Sequence, residues 1–400
     1  MHSEPMTGTS AVTAFVGAHV VPIEGDPFDG TVVCEGGRIS AIGGAVPAGA
    51  DVIDCDGRWL LPGFLDAHTH LGVHEEAEGW AGDDTNEMTD PNTAHVRALD
   101  AINPRDLGFA DALSGGVLAV NVNPGSGNPI GGQTVALKCW GRTVDDMVLR
   151  SPSGLKSALG ENPKRVYGDQ KKTPSTRLGT AAVLREAFTA ARAYAARRDA
   201  GEQQEPDLKL EALALVLART IPWRQHSHRA DDIATAVRIA DEFGYSLVID
   251  HGTEAHLLAD ALAAKAIPVL IGPLLTSRAK VELRNRSIAN PGRLHDAGVE
   301  ISIITDHPVV PIHFLVHQAT FAVKEGLDAV AALRSLTINP ARVIGVEDRL
   351  GSIEVGKDAD LVVWSGDPLD VMSRALAAYI EGRLVYRWDA DTRNGVVTPV

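Results

Sequence analysis

The sequence predicts an α/β fold, a TIM-type (β/α)8 barrel with a smaller β domain built from both chain ends. Its 400 residues suit a barrel of about 250 residues plus a second unit. Strands alternate with helical patterns through the middle of the chain, as βα units do. Short strands with glycine-rich turns occupy residues 11–60 and return at 351–364 and 379–386. Neither end alone has enough strands for a stable sheet.

The barrel is predicted from eight apolar segments, several of them continuous enough for strands buried on both faces. The predicted strands lie near 62–68, 116–121, 133–139, 153–159, 221–226, 246–251, 267–271 and 300–306. The predicted helices lie near 177–198, 207–219, 229–243, 253–264 and 312–325. The polar segment 200–206 is predicted to be an exposed loop.

Composition and charge restrict the function classes. The formal charge of −15 argues against binding to nucleic acid or to a membrane, because both need basic surface. Three cysteines without CxxC spacing fit a reducing compartment. Residues 1–10 show no signal peptide, and no apolar run approaches the ~20 residues of a membrane helix. We expect a cytoplasmic homo-oligomer that acts on a small molecule.

A metal site is predicted where the first barrel strand ends. The stretch 61–70, LPGFLDAHTH, closes with His68 and His70 in an i, i+2 spacing. Alternate residues of a strand point the same way, so both imidazoles face one site. Neutral imidazole is a good ligand for zinc and similar divalent ions, and barrel enzymes carry their chemistry at strand ends.

The motif PGFLDAHTH at 62–70 resembles the first strand of the amidohydrolase superfamily, metal-dependent hydrolases that include imidazolonepropionase, hydantoinase and several dipeptidases. The resemblance implies a bridging ligand after strand four, histidines ending strands five and six, and an aspartate ending strand eight. Residues 351–364, GSIEVGKDADLVVW, are similar to the C-terminal half of the composite β-sandwich that flanks many such barrels. The resemblance therefore implies a β-sandwich formed by residues 1–61 and 349–400, next to a barrel at 62–348.

The later strands supply the implied ligands. Residues 221–233 resemble the fifth strand of the imidazolonepropionase-like and dipeptidase-like branches, and they contain His226 and His228. His226 is the expected ligand, while His228 binds substrate or a second metal. His251 ends the sixth apolar strand. Asp306 leaves the eighth strand, where a carboxylate after mostly apolar residues needs a partner.

The fourth strand offers two candidates for the bridging ligand, and the residues after it include candidates for substrate binding. Lys156 resembles the lysine that binuclear members carboxylate to bridge two metals, whereas Glu161 could bridge directly. Arg165 and Tyr167, with the later Arg177, lie after strand four, where a basic group could hold a substrate carboxylate. The glycine-rich loop 123–132 lacks the ending of a phosphate loop and is predicted to shape the pocket mouth.

The resemblance implies hydrolysis of an amide or cyclic amide C–N bond with one or two zinc ions. Metal lowers the pKa of water to give hydroxide, and Asp306 accepts and later returns its proton. A histidine, His251 or His228, helps to polarise the carbonyl. Deamination of a heterocycle is the alternative. A non-catalytic scaffold on the same barrel is a third hypothesis, which the retained ligands oppose.

Overall fold

The computed structural model describes residues 12–202 and 205–400. The segment 1–10, in which no signal peptide was predicted, lies outside these residues, as do two residues of the predicted loop 200–206. The described chain begins with five strands: β1 (Val12–Val20), β2 (Phe28–Glu35), β3 (Arg38–Ile42), β4 (Asp51–Asp54) and β5 (Trp59–Pro62).

Eight further strands form the barrel sheet, in the order of the chain. They are β6 (Phe64–Thr69), β7 (Val117–Val122), β8 (Ile130–Lys138), β9 (Val148–Ala158), β10 (Trp223–Ser227), β11 (Leu247–His251), β12 (Val269–Ile271) and β13 (Ile301–Ile303). All eight overlap the strands predicted from the sequence. Strands β6, β7 and β10 to β13 are buried at every position, which explains their apolar runs.

The prediction of a regular βα alternation is wrong at β8. Strand β8 pairs antiparallel with both β7 and β9, while the other pairs in this sheet are parallel. The connection from β7 to β8 covers only residues 123–129, and a parallel crossover needs a dozen or more residues. The loop at 123–129 is therefore a hairpin connection, and it lies at the same barrel face as the carboxyl ends of the parallel strands.

The barrel is nearly closed where its first and last strands meet. Strands β13 and β6 end the sheet order without a ladder between them. The Asp306 amide nevertheless donates to the His68 carbonyl at 3.2 Å, and the His70 amide donates to the His307 carbonyl at 2.9 Å. These two bonds hold the end of β6 against the segment after β13.

Both chain ends contribute to one sheet, as predicted. Four strands follow the barrel: β14 (Leu361–Trp364), β15 (Ala375–Ile380), β16 (Arg383–Asp389) and β17 (Asn394–Val397). In the described residues they join the first five strands through antiparallel pairing of β14 with β5. A separate apolar core that includes Phe15, Leu60, Leu361 and Tyr379 packs between the two groups of strands.

Helices cover the connections of the barrel. They are α1 (Leu107–Ser114), α2 (Val144–Met147), α3 (Glu161–Asp169), α4 (Arg177–Asp199), α5 (Leu208–Leu217), α6 (Ala230–Phe243), α7 (Ala259–Ala264), α8 (Asn290–Asp296), α9 (Leu315–Lys324), α10 (Ala329–Ser335) and α11 (Ile338–Ile344). Each of the five predicted helices overlaps one of these. Helix α3 was not among the predicted helices. None of the described helices is long and apolar enough to span a membrane.

Candidate active site

The polar groups of the candidate site lie at one end of the barrel. His70 directly follows β6, His226 is the penultimate residue of β10, His228 directly follows β10, and His251 ends β11. Asp306 lies three residues beyond β13. Because these strands are parallel, their carboxyl ends share a face, and the sequence-distant side chains meet there.

The imidazoles are oriented by contacts at their Nδ1 atoms. His70 Nδ1 lies 2.8 Å from the Asn123 carbonyl oxygen, and His228 Nδ1 lies 2.8 Å from the Thr253 hydroxyl. His251 Nδ1 lies 3.0 Å from the Gly272 carbonyl oxygen. Such contacts fix the ring and leave Nε2 available for another ligand.

His226 differs from the other rings. Neither of its ring nitrogens has a hydrogen-bond partner among the described residues, although the side chain is buried. The His226 ring centre lies 4.4 Å from that of His251 and 4.8 Å from that of His228. A buried polar group without a partner is costly, so His226 requires a ligand that protein atoms do not supply.

Unusual backbone geometry directs two of the site residues. His251 and Asp306 have φ angles of 74° and 52°, in the left-handed region that non-glycine residues rarely adopt. Such conformations concentrate at functional sites. The neighbouring Gly272 also has a positive φ, and a Cβ there would collide with the Ile304 carbonyl. Gly272 can therefore place its own carbonyl against His251.

Asp306 is the acidic group of the site. Its Oδ1 lies 3.3 Å from His68 Nε2 and 3.2 Å from His70 Nε2. Burial acts to raise the pKa of Asp306, but His251, His68 and His70 outweigh it and hold that pKa well below its usual range. Its side chain is 17% exposed, so an ionised carboxylate is partly accessible to solvent.

Two overlapping groups of side chains could hold metal. His226, His228 and His251 form one group, and His68, His251 and Asp306 form the other; within each, the ligand atoms lie within 4.8 Å of one another. Burial is the main cause that lowers the pKa of His251 to about 3 and holds those of His226 and His228 well below their usual range. The rings are thus neutral, the form that binds metal.

A buried charged layer supports this site from inside the barrel. Lys156 Nζ lies 3.1 Å from His68 Nε2 and 3.3 Å from Asp250 Oδ2. Asp250 Oδ2 also lies 3.0 Å from His68 Nδ1, and Asp250 Oδ1 accepts two hydrogen bonds from Arg224. Burial acts to raise the pKa of Asp250, but Arg224, His68 and Lys156 hold it well below its usual range. Asp250 is therefore an ionised partner for both His68 and Lys156.

Comparison with known proteins establishes the family. The solved structure of an amidohydrolase from Thermotoga maritima MSB8 is 48% identical to the chain, with a TM-score of 0.92 over 94% of this chain and 100% of that one. The chain belongs to the amidohydrolase superfamily. The profile of the Amidohydrolase family also matches residues 214–400. This amidohydrolase is accordingly a metal-dependent hydrolase of C–N bonds, which confirms the general function predicted from the sequence.

Other relatives agree with this assignment. Imidazolonepropionase from Sphingopyxis alaskensis is 25% identical over 373 residues, which cover 86% of this chain and 89% of the relative. The amidohydrolase tasK of Hapsidospora irregularis is 31% identical over 95% of this chain. The chain spans only 42% of the length of tasK. The predicted imidazolonepropionase-like branch is thus confirmed.

The structure separates the two residues considered for the bridging position. Lys156 points at His68 and lies between the site histidines and Asp250. Glu161 begins helix α3 and belongs to neither group of metal-binding side chains found among the described residues. Its amide donates to Glu282 Oε1 at 2.7 Å. Lys156 therefore lies in contact with the site histidines, whereas Glu161 is bound to a neighbouring loop.

The residues considered for substrate binding have other contacts. Arg177 pairs with Asp232 at 2.9 Å and with Glu282 at 3.3 Å, and both carboxylates are buried. The buried Tyr167 donates to the Asp90 carbonyl at 2.7 Å. Arg165 is an exposed residue of helix α3. The Arg177 and Tyr167 side chains therefore have structural partners within the protein.

Sequence reasoning overlooked Asp250, Arg224 and Lys280. Asp250 and Arg224 are charged residues inside two apolar strands, and that placement was a usable signal because buried charges need partners. Lys280 belongs to an irregular segment between β12 and α8. No periodicity marks it, and its proximity to the histidines arises only from the fold.

Proposed function

We propose that this amidohydrolase cleaves an amide or cyclic amide C–N bond of a small molecule, with Asp306 as general base. The observation that carries the proposal is the sharing of His251 between two groups of metal-binding side chains, one of which contains Asp306. The site thereby combines the ligands of a metal centre with an ionised carboxylate in direct contact with two imidazoles.

The residues present fit zinc, in one or two positions. Neutral imidazoles and a carboxylate are the ligands that zinc prefers, and one of the two unpartnered nitrogens of buried His226 is explained if a metal binds it. His68, His70 and Asp306 would hold one ion, and His226 and His228 another, with His251 as a further ligand of one of the two. Bound zinc would lower the pKa of water towards neutrality and polarise a carbonyl.

Asp306 would move the proton in this reaction. An ionised carboxylate can accept a proton from water and return it to the leaving nitrogen. His228, in the tautomer whose Nδ1 accepts from the Thr253 hydroxyl, would donate from Nε2 to the substrate carbonyl when it is not bound to metal. His251 donates its Nδ1 proton to the Gly272 carbonyl, so its Nε2 is left as a metal ligand. The low pKa of His228 follows mainly from burial, so His228 would serve as a neutral hydrogen-bonding group.

We infer that Lys156 is the bridging residue and that it is carboxylated in the active enzyme. Burial lowers the pKa of its ammonium, and the neutral amine is the form that reacts with carbon dioxide. Its contact with His68 places the nitrogen beside the group formed by His68, His251 and Asp306. Asp250 would then support the inner side of the site through its contact with His68, without binding the metal itself.

We also propose the division into a barrel at 62–348 and a composite β-sandwich formed by 1–61 and 349–400. Its support is the pairing of β5 with β14 and the separate apolar core of that sheet. The free thiols of Cys34, Cys55 and Cys139 are buried and fit the proposed cytoplasmic location. The homo-oligomer remains a prediction.

The variant Asp306→Asn tests the catalytic proposal. Asparagine keeps the shape and one oxygen but cannot accept a proton, so the protein should fold and still bind at least one zinc ion. We expect kcat to fall by ~10²–10⁴-fold, the usual effect of a positioned general base. The loss should appear in kcat more than in KM.

The assay uses N-acyl amino acids, dipeptides, hydantoins and imidazolones with zinc-loaded protein. The exposed Asp231 pairs with Arg229, and Asp231→Asn is the matched control that should leave turnover unchanged. Near-complete activity of Asp306→Asn at unchanged zinc content would show that Asp306 is not the base. Ammonia release from purines or pyrimidines, with no amide cleaved, would instead favour deamination.

A further inference from the structure

A cationic group reaches the candidate site from the segment between β12 and α8, residues 272–289. Lys280 lies in this segment, and its Nζ lies 3.5 Å from Asn162 Oδ1. Asn162 follows β9 as the second residue of α3, and its Nδ2 donates to Ser126 Oγ at 2.8 Å. Ser126 is in the loop after β7. The three residues thus come from connections on the barrel face that carries the histidines.

The Lys280 ammonium keeps donor capacity for a ligand. Its other contact among the described residues is an ion pair with Glu282 Oε2, at 3.7 Å, which exceeds hydrogen-bond distance. Across residues 12–202 and 205–400, neither of its two contacts is shorter than 3.5 Å. The side chain is 27% exposed. An ammonium has three donors, so a carboxylate could approach it without displacing a short bond.

The charge of Lys280 acts on the candidate metal ligands. Burial, the His251 ring and the Lys280 ammonium hold the pKa of His228 well below its usual range. Lys280 also contributes, after burial and the two neighbouring imidazoles, to the lowered pKa of His226. Lys280 is therefore within electrostatic range of the group where the C–N bond would be cleaved.

Two arginines near this face are already paired. Arg177 makes three hydrogen bonds to the carboxylate of Asp232 and one to Glu282. Arg224 is wholly buried against Asp250. Glu282, the acid nearest to Lys280, uses its Oε1 for Arg177 and for the Glu161 amide. Lys280 is thus better placed than these arginines to bind an incoming anion.

We propose that Lys280, together with Asn162 and Ser126, forms a subsite for a substrate carboxylate, so that the substrate is an amide that carries a carboxylate near the scissile C–N bond. N-acyl amino acids and dipeptides have this chemistry. The ammonium would supply the charge, and the Ser126 hydroxyl, which accepts from Asn162, would remain free to donate. The inference rests on the proposed C–N hydrolysis for its reaction, but binding of the carboxylate can be measured separately.

The test compares matched pairs of N-acyl amino acids and dipeptides, with either a free carboxylate or a carboxamide, on zinc-loaded enzyme. The wild type should prefer the acids. Lys280→Met should lower kcat/KM for the acids by ~10- to 100-fold, as for loss of a charged hydrogen bond, mainly through KM. The carboxamides should change by less than about threefold. Lys280→Arg should retain most of the preference.

The exposed Lys172 follows α3 on the same barrel face, and Lys172→Met is the matched control, with no expected effect on either member of a pair. If no compound is hydrolysed, calorimetry on the same pairs replaces kinetics. Acid binding that depends on Lys280 without turnover would support the subsite while contradicting the proposed hydrolysis. The inference would be overturned if the wild type used or bound acids and carboxamides equally, or if Lys280→Met affected both equally. It would also be overturned if no acid were hydrolysed or bound.

Discussion

At the scale of single residues, the site depends on which atom of each imidazole is already occupied. His70, His228 and His251 have their Nδ1 atoms against protein oxygens. His68 contacts Asp250 through Nδ1 and faces Lys156 and Asp306 through Nε2. Loss of such outer contacts typically weakens metal binding by ~10- to 100-fold. Asp250 is therefore a positioning residue, although it belongs to neither ligand group.

The metal count separates the two bridging hypotheses at this scale. Lys156→Ala should lose one of two bound zinc ions, because it removes the nitrogen that contacts His68. Glu161→Ala should keep both, since Glu161 is outside the ligand groups. Bicarbonate should aid reconstitution of the wild type and not of Lys156→Ala. Elemental analysis of the two variants decides the question. The reverse pattern would assign the bridge to Glu161, and no change in either would indicate a mononuclear site.

The sequence predicted much of the site because strand alternation and strand ends are local features. His68, His70, His226, His228, His251 and Asp306 all follow or end apolar strands, and the fold brings them together. Lys280 and Asp250 were overlooked because their importance depends on contacts between distant segments. Arg177 illustrates the converse, since its buried partners Asp232 and Glu282 could not be inferred from its position in the sequence.

At the scale of secondary structure elements, β8 connects the barrel to the sheet formed by the chain ends. Lys138, the last residue of β8, contacts Asp358 at 2.8 Å and Asp360 at 3.0 Å, and all three are buried. It also contacts Glu381, in the turn between β15 and β16, at 3.0 Å. The strand that departs from the parallel pattern thus carries an ion-pair network between the barrel and the other sheet. The antiparallel direction of β8 was not predicted, although the connection at 123–129 is too short for a parallel crossover.

Lys138→Met should destabilise the protein by about 3–5 kcal/mol, because it leaves the buried Asp360 without its cation, while Asp358 keeps Arg349 at 2.6 Å. Urea unfolding of the wild type and the variant measures the difference. Arg185 forms an exposed pair with Glu242, and Arg185→Met is the control, with an expected cost below about 1 kcal/mol. Equal effects of the two substitutions would contradict a stabilising role for the buried network.

The same network predicts a dependence on alkaline pH. Burial acts to lower the pKa of Lys138, but Asp360, Asp358 and Glu381 outweigh it and raise that pKa above its ordinary value of 10.5. A raised pKa gives stability that is fully present below the unfolded value and is lost as the pH rises through the folded value. The difference in unfolding free energy between wild type and Lys138→Met should therefore be constant up to about pH 10 and should narrow above it. A difference that falls between pH 7 and 9 would contradict this assignment.

At the scale of the whole molecule, the barrel carries the candidate catalytic residues, and strands from both chain ends form the second sheet. Barrel architecture and family were predictable because eight apolar segments and the motif at 62–70 are strong sequence signals. The antiparallel strand, helix α3 and the charged layer under the histidines were not, because each depends on packing. The proposed function depends on whether the histidines and Asp306 hold metal.

Zinc content after loading and removal of free metal tests this metal binding most directly. Elemental analysis should find about one to two zinc ions per chain in the wild type, by analogy with closed sites of nitrogen and oxygen ligands. His251→Ala should retain less than half of that content, because His251 belongs to both ligand groups. The exposed His95 gives the control His95→Ala, which should retain all of it. A wild-type content below about 0.3 per chain, or an unchanged content in His251→Ala, would show that these residues do not form a metal centre.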